Sequence, residues 1–232
     1  MKPLNLLQDF LDIIYPDLCL SCDAALRKSE KIICLKCQLE LPKTDYAGFP
    51  DNPVAKKFWG KVPVQNAMAL YHFYKSSRIQ HLMHALKYKG RKDVGIKLGN
   101  LLGYELMQYE MYHSIDLITV VPLHREKEIK RGYNQAGIIG EGLGAILNKP
   151  FDPSILSKIK FTESQTKKNR IQRWENVKEI FMLNEEKLIT GKHILLIDDV
   201  ITTGSTLEAC AVTLMRANNV RVSIAAVAHA EI

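Results

Sequence analysis

Three apolar runs of strand length punctuate the second half of the chain. They are Leu117 to Val121, closed by Pro122; Ile194 to Ile197, closed by Asp198; and Val222 to Ala228. None alternates apolar with polar, which is the pattern of strands covered on both faces, as in a parallel sheet. After the second run, apolar residues recur at Leu207, Cys210, Ala211, Leu214 and Met215, the spacing of one helical face. Ser205 and Glu208 have capping-box spacing and predict a helix start at Ser205, and Asn218 and Asn219 suit its end. Cys210 falls on the buried face and reads as a core residue. A second helix is predicted from an Asn134 N-cap to about Asn148, with glycines at 137, 140, 142 and 144 that permit close packing against the sheet. Strands alternating with helices predict an α/β architecture.

The first 62 residues follow another pattern. Met1 to Tyr15 is apolar in part, but Asp9 and Asp12 interrupt it, so it predicts a short helix and not a secretory signal. Pro42, Gly48, Pro50, Pro53 and Gly60 mark an irregular crossing. The expected division is therefore an N-terminal helix and cysteine module over 1–42, a linker over 43–61, and one domain over 62–232. The 232 residues, 47% hydrophobic and 25% charged, exclude collagen-like, low-complexity and wholly disordered chains. No run approaches the roughly 18 apolar residues of a membrane span, and a cytoplasmic protein without membrane contact is expected.

Cysteine usage sharpens the picture. Four of the five cysteines form two C-x-x-C pairs, Cys19 with Cys22 and Cys34 with Cys37, eleven residues apart. Two such knuckles complete a tetrahedral thiolate site, and a four-thiolate site leaves no open position for catalysis. The expectation is structural zinc on Cys19, Cys22, Cys34 and Cys37, with redox-active thiols or no metal as the alternatives. A module this short lacks a core of its own, and a metal would supply the missing stability. His81 and His84, spaced i and i+3, read as surface or packing residues.

The chemistry concentrates where the second apolar run ends. Asp198 and Asp199 are followed by Thr202, Thr203, Gly204, Ser205 and Thr206 and then by the helix start. A strand, a small-residue loop and a helix N-terminus build an anion cradle suited to a monophosphate. Adjacent acids suit sugar hydroxyls or a magnesium ion. A nucleotide triphosphatase would need G-x-x-x-x-G-K-[ST], and Gly191-Lys192 is followed by His193 instead. Leu195 to Thr206 resembles the phosphoribosyl-pyrophosphate (PRPP) motif of type I phosphoribosyltransferases. The resemblance implies that Asp198 and Asp199 hold the ribose hydroxyls, that Thr202 to Thr206 bind the 5-phosphate, and that the loop around Leu123 and His124, after the strand ending at Pro122, contacts pyrophosphate with Mg2+. It also implies the fold: a central, mainly parallel sheet flanked by helices, here with a small N-terminal four-cysteine zinc module.

Narrower wording, Val-Pro-Leu-His with Arg131-Gly-Tyr-Asn-Gln135, resembles the ComF competence-protein family. Leu86-Lys87-Tyr88-Lys89-Gly90 and Thr166 with Arg173-x-x-Asn176-Val177 and Phe181 fit it too. That family implies a zinc module on a phosphoribosyltransferase domain and, in some members, a role in DNA uptake during transformation. Three basic stretches, 75–92, 125–131 and 158–178, contribute to a net charge of +7. They suit PRPP and equally single-stranded DNA, with Trp174, Tyr133 or Tyr88 as stacking surfaces. Lys87, Arg131 and Arg173 are candidate substrate contacts, and 161–177 a candidate flap.

The expected chemistry is displacement of pyrophosphate at ribose C1 through an oxocarbenium-like state, with Asp198 and Asp199 acting by positioning and electrostatics. No purine or pyrimidine determinant is legible, so the acceptor is unassigned. The hood over it is expected from residues near 64–74 and 151–185 or from the cysteine module. The rival readings are a PRPP sensor or adaptor on the same fold, and a DNA-handling protein partnered by single-stranded DNA or the helicase machinery of DNA uptake.

Overall fold

The computed structural model describes residues 15–158 and 181–230. The helix expected over Met1 to Tyr15 falls almost wholly outside them. So does the 161–177 flap, with Arg173 and Trp174.

Among the described residues the elements run α1 (Leu35–Leu39), α2 (Pro53–Lys56), β1 (Ala67–Phe73), α3 (Arg78–Tyr88), α4 (Lys92–Leu106) and β2 (Leu117–Val120). Then come α5 (Arg125–Arg131), α6 (Gln135–Leu147), β3 (Leu156–Lys158), β4 (Phe181–Leu183), α7 (Glu186–Ile189), β5 (His193–Ile201), α8 (Ser205–Leu214) and β6 (Arg221–Ala230). Four strands form one sheet in the order β1-β6-β5-β2, every pair parallel. The expected strands are present, and their unbroken apolar character has the expected cause, since both faces of the sheet are covered.

Alternation along each strand sorts side chains between two apolar layers. Leu195 and Ile197, with Met68, Leu70, Ala225 and Val227, join the layer that includes residues of α3, α4 and α6. Ile194 and Leu196, with Ala69, Ile224 and Ala226, face Leu207, Cys210 and Leu214 of α8. A one-residue slip would exchange the two sets, so the register is set by the layers.

Helices α4 and α6 pack backbone to backbone. A Cβ on Gly99 would collide with the carbonyl of Ile139, and one on Gly142 with that of Ile96. The glycines of α6 therefore serve helix contact as well as sheet contact: Gly142 faces α4, while Gly140 and Gly144 accommodate Phe151 beside β2. Asn134 caps α6 as expected, accepting from the Ala136 N–H, and Asn148 ends it in the left-handed region at φ 51°.

The 43–61 stretch is folded onto the domain. Residues 42–44 run antiparallel along the free edge of β1, where Thr44 N–H donates to Leu70 O at 3.1 Å and His72 N–H donates to Pro42 O at 2.8 Å. Buried Asn52 accepts from the N–H groups of Val54 and Ala55 and donates to the carbonyls of Phe49 and Ala67, which starts α2. Phe58 is fully buried behind β5 and α8. No helix among the described residues is long and apolar enough to cross a membrane.

Candidate functional site

All four parallel strands end at one edge of the sheet, the edge where open α/β folds bind ligands. Strand β5 carries Asp198 and Asp199 to it. The Asp199 N–H donates to Asp198 Oδ1 at 2.8 Å, which orients the first carboxylate. Burial and the charge of Asp199 push the Asp198 carboxyl up to about 8, against the opposing pull of the Asp199 N–H and of Lys87. At neutral pH the site therefore favours a protonated Asp198.

The loop Thr202 to Thr206 forms a shallow concavity with Asp198 on its wall. Gly204 turns the chain at φ +83°. A side chain there would meet left-handed strain and the Phe58 ring at 3.3 Å. Structure and sequence differ at the helix start. Gly204, not Ser205, is the N-cap and offers no side chain, while the Ser205 N–H donates to Thr203 Oγ1 at 3.4 Å. Ser205 is instead the first helical residue, its Oγ 3.1 Å from Thr203 Oγ1. The absence of a Ser205 capping box leaves N–H groups of the first turn for an anion.

Lys87 completes the charge arrangement. Its Nζ lies 2.7 Å from Asp199 Oδ2, with both side chains mostly shielded from water. Helix α3 delivers it, and the segment 131–135 grips its neighbours on either side. Tyr133 Oη donates to the Leu86 carbonyl, and the Arg131 guanidinium stands 5.7 Å from the centre of the Tyr88 ring. The two sequence signatures Leu86–Gly90 and Arg131–Gln135 are thus one structural unit. Arg131 also donates to Gln135 Oε1 at 2.7 Å.

Leu123 and His124 leave the sheet next to the acids, because Val120 is level with Ile197 and the Val121 N–H donates to Ile197 O at 3.0 Å. The expected basic loop is largely the short helix α5. His124 is its N-cap, accepting from the Glu126 N–H through Nδ1 at 3.3 Å, and Gly132 ends it at φ 79°. His124 is thereby tied to the backbone of its own helix. A run of Glu and Lys/Arg with acids in the first turn and bases in the last carried this signal in the sequence.

The four cysteines converge. The Sγ atoms of Cys19, Cys22, Cys34 and Cys37 all lie within 4.8 Å of one another. Cys22 and Cys34 are 3.8 Å apart, close to the separation of about 3.8 Å that four Zn–S bonds of about 2.3 Å impose on a tetrahedron. Backbone N–H groups point at sulfur, Cys34 N to Cys19 Sγ at 3.3 Å and Cys37 N to Cys34 Sγ at 3.4 Å. Burial opposes ionisation of Cys19, but the N–H groups of Cys34, Ser21 and Cys22 bring its thiol down to about 7. Burial and the neighbouring sulfurs push Cys37 up to about 12. Such a set cannot ionise fully until a cation shares the charge, and it fits a structural zinc ion. Glu30 is not a ligand; it accepts from the N–H groups of Arg27 and Leu35 and ties the loop between the knuckles.

Residues 138–231 match the family described as phosphoribosyl transferase domain. The match covers the C-terminal part of the chain. Acids, loop and α8 all lie within it, whereas Lys87, Leu123, His124 and the cysteines precede it. Over most of its length the chain also has homologues. It is 28% identical over 216 residues to the DNA utilization protein YhgH of Salmonella typhi, covering 87% of this chain and 92% of that protein. It is 26% identical to competence protein F of Haemophilus influenzae, covering 82% and 87% of the two chains. Competence protein ComFC of Bacillus subtilis is 26% identical, with 88% and 81% covered. Among solved structures, the glutamine PRPP amidotransferase of B. subtilis matches with a TM-score of 0.42 and 20% identity, over 62% of this chain and 30% of that one. The described residues form a parallel sheet flanked by helices, with a cluster of four cysteines near the N-terminus.

Two features of the candidate site escaped the sequence reading. The first is the backing of the phosphate-type loop by Phe58 and Lys57, from the stretch read as a linker. Asn52-Pro53 followed by Val54, Ala55 and Phe58 was its signal, a capped helical turn with an apolar face. The second is the direct pairing of Lys87 with Asp199, which spans more than a hundred residues and leaves no local trace.

Proposed function

We propose that this protein binds PRPP with magnesium and transfers its ribosyl 5-phosphate to an acceptor, releasing pyrophosphate, in the cytoplasm and in connection with DNA uptake or utilisation. The observation that carries the reading is the adjacency of Asp198 and Asp199 to an uncapped, Gly204-turned loop at the C-terminal end of a central parallel strand. In this reading Asp198 and Asp199 take the ribose hydroxyls, and Thr202, Thr203, Gly204, Ser205 and Thr206 take the 5-phosphate. Leu123 and His124 border the pyrophosphate, with Lys87 and Arg131 as cationic contacts. Magnesium fits an oxygen-rich, acidic site and, when bound, neutralises pyrophosphate charge. The protein's own part is to hold the ribose, keep water out and place the leaving group. The cysteine module carries structural zinc, and we divide the chain at 42 and 61 into module, crossing segment and domain.

The test is release of pyrophosphate from PRPP and magnesium across a panel of acceptors including nucleobases, with Asp199→Asn as control. Release that requires both acceptor and Asp199 supports transfer. Binding of PRPP without release for any acceptor favours a sensor or adaptor. A second reading, handling of single-stranded DNA, rests on the exposed Tyr88 ring with the Arg131 guanidinium against it, beside the same site. Affinity for single strands that falls steeply with salt and ignores PRPP would favour it.

A further inference from the structure

Helix α3 touches the cysteine module near one end and the acidic pair at the other. In its first turn the Arg78 guanidinium pairs with the Glu40 carboxylate, at the end of the second cysteine knuckle. One turn on, His81 Nδ1 donates to the Ser21 carbonyl at 3.0 Å, inside the first knuckle between Cys19 and Cys22. Beneath these contacts Ile79 and Leu82 share one apolar cluster with Cys19, Ile33, Cys37 and Leu41. In the last turn Lys87 meets Asp199. A helix is stiff along its axis, and its 11 residues span about 16 Å at about 1.5 Å each. A shift of the module therefore arrives at Lys87 as a shift of similar size, and an ion pair at 2.7 Å tolerates little of it.

We propose that the cysteine module sets the placement of Lys87 against Asp199 through helix α3, and so tunes how the acidic pair receives an anionic, phosphate-bearing ligand. Arg78 and His81 are positioning residues in this scheme, because neither touches the acids. The ligand half of the inference rests on the PRPP reading; the placement half does not. Both module contacts lie at the N-terminal end of α3, and the segment around Tyr133 holds the C-terminal end. The lysine thus sits within the second clamp, and the helix joins it to the first, which belongs to the module.

Two readouts separate the halves. The first needs no ligand: the rate at which Lys87 is modified by an amine-acylating reagent, followed by peptide mass spectrometry on the full-length protein. Pairing with Asp199 slows this rate, and Asp199→Asn defines the unpaired limit. In the Arg78→Ala, His81→Ala double variant, with cysteine-bound metal and circular dichroism unchanged, the rate should rise several-fold toward that limit. A rate equal to wild type overturns the proposal, whatever the protein does with PRPP. The second readout is PRPP affinity with magnesium. The double variant and Lys87→Ala should each lose about tenfold, about 1.4 kcal/mol, and together no more than Lys87→Ala alone; Lys87→Arg should recover part of the loss. Losses that add in full show that module and lysine act separately and also overturn the coupling. Should wild type not bind PRPP while the acylation result holds, the placement stands and the PRPP reading falls. Should the double variant lose its metal, Arg78→Ala and His81→Ala made singly, each with its metal retained, serve in its place; at least one should label several-fold faster than wild type, and wild-type rates in both overturn the proposal.

Discussion

Asp198 is the residue whose chemistry the fold changes most. Its neighbour in sequence is also its neighbour in charge, and both acids stand where the sheet's end excludes much of the water. A carboxyl raised to about 8 in the folded chain and near 3.8 in the unfolded one makes a contribution to stability that is complete below the unfolded value. That contribution is lost as pH rises through the folded one. The empty protein should therefore lose thermal stability between pH 4 and 8 through this group, and Asp198→Asn should flatten that part of the profile. Thermal melts of both proteins across the range check it; parallel profiles would contradict the assignment. If the carboxylate form receives ribose hydroxyls, affinity for PRPP should rise with pH toward 8. At this scale the sequence was informative about identity and silent about state. The acids and the Thr/Gly/Ser loop are legible because a strand end and a helix start are local. The protonation of Asp198 depends on its burial in the folded chain, and the pairing of Asp199 with Lys87 depends on α3, which only folding brings near.

Elements settle into place through surfaces that the periodicity describes and through contacts that it does not. The apolar runs of β2, β5 and β6 and the helical face of α8 were readable, since burial on both faces leaves few polar positions in a strand, here Thr119, His193, Ser223 and His229. The partner of α6 was not: its glycines announce close approach without saying to what, and the answer includes another helix rich in glycine, α4. Gly99→Ala should force α4 away from the backbone of α6 at Ile139 and Leu143. A cost of about 1–3 kcal/mol is expected for overpacking of this kind. Denaturant titration measures it, and a change under about 0.5 kcal/mol would show that the helices separate freely. The helix starts at Ser205 as expected, but Gly204 takes the N-cap position and the capping box that Ser205 and Glu208 suggest does not form. The left-handed turn at Gly204 overrides the pattern and leaves the first turn for a ligand. The same competition explains α5, where proximity to a strand end suggested a loop but charge order along the segment supports a helix.

At the scale of the whole molecule, the N-terminal module and the sheet domain share one apolar cluster, so the packing of each depends on the other. Cys34→Ser should lower bound metal to substoichiometric levels and remove the first part of the melting profile. Elemental analysis with calorimetric scanning reads both, and an unchanged scan from a protein free of metal would refute a structural metal site. The four-cysteine spacing made the module legible. Its docking against α3 was invisible, because Ser21, Glu40, Arg78 and His81 have no distinctive pattern of their own.

The central claim is that the acids of β5 and the loop before α8 form one PRPP cradle. Calorimetric titration of PRPP with magnesium into the full-length protein tests it most directly, alongside the Asp198→Asn, Asp199→Asn double variant. Saturable binding at one site per chain is expected for wild type, with no measurable heat of binding for the variant at equal metal content and thermal stability. Equal binding by the variant, or none by folded, metal-loaded wild type, would contradict the account.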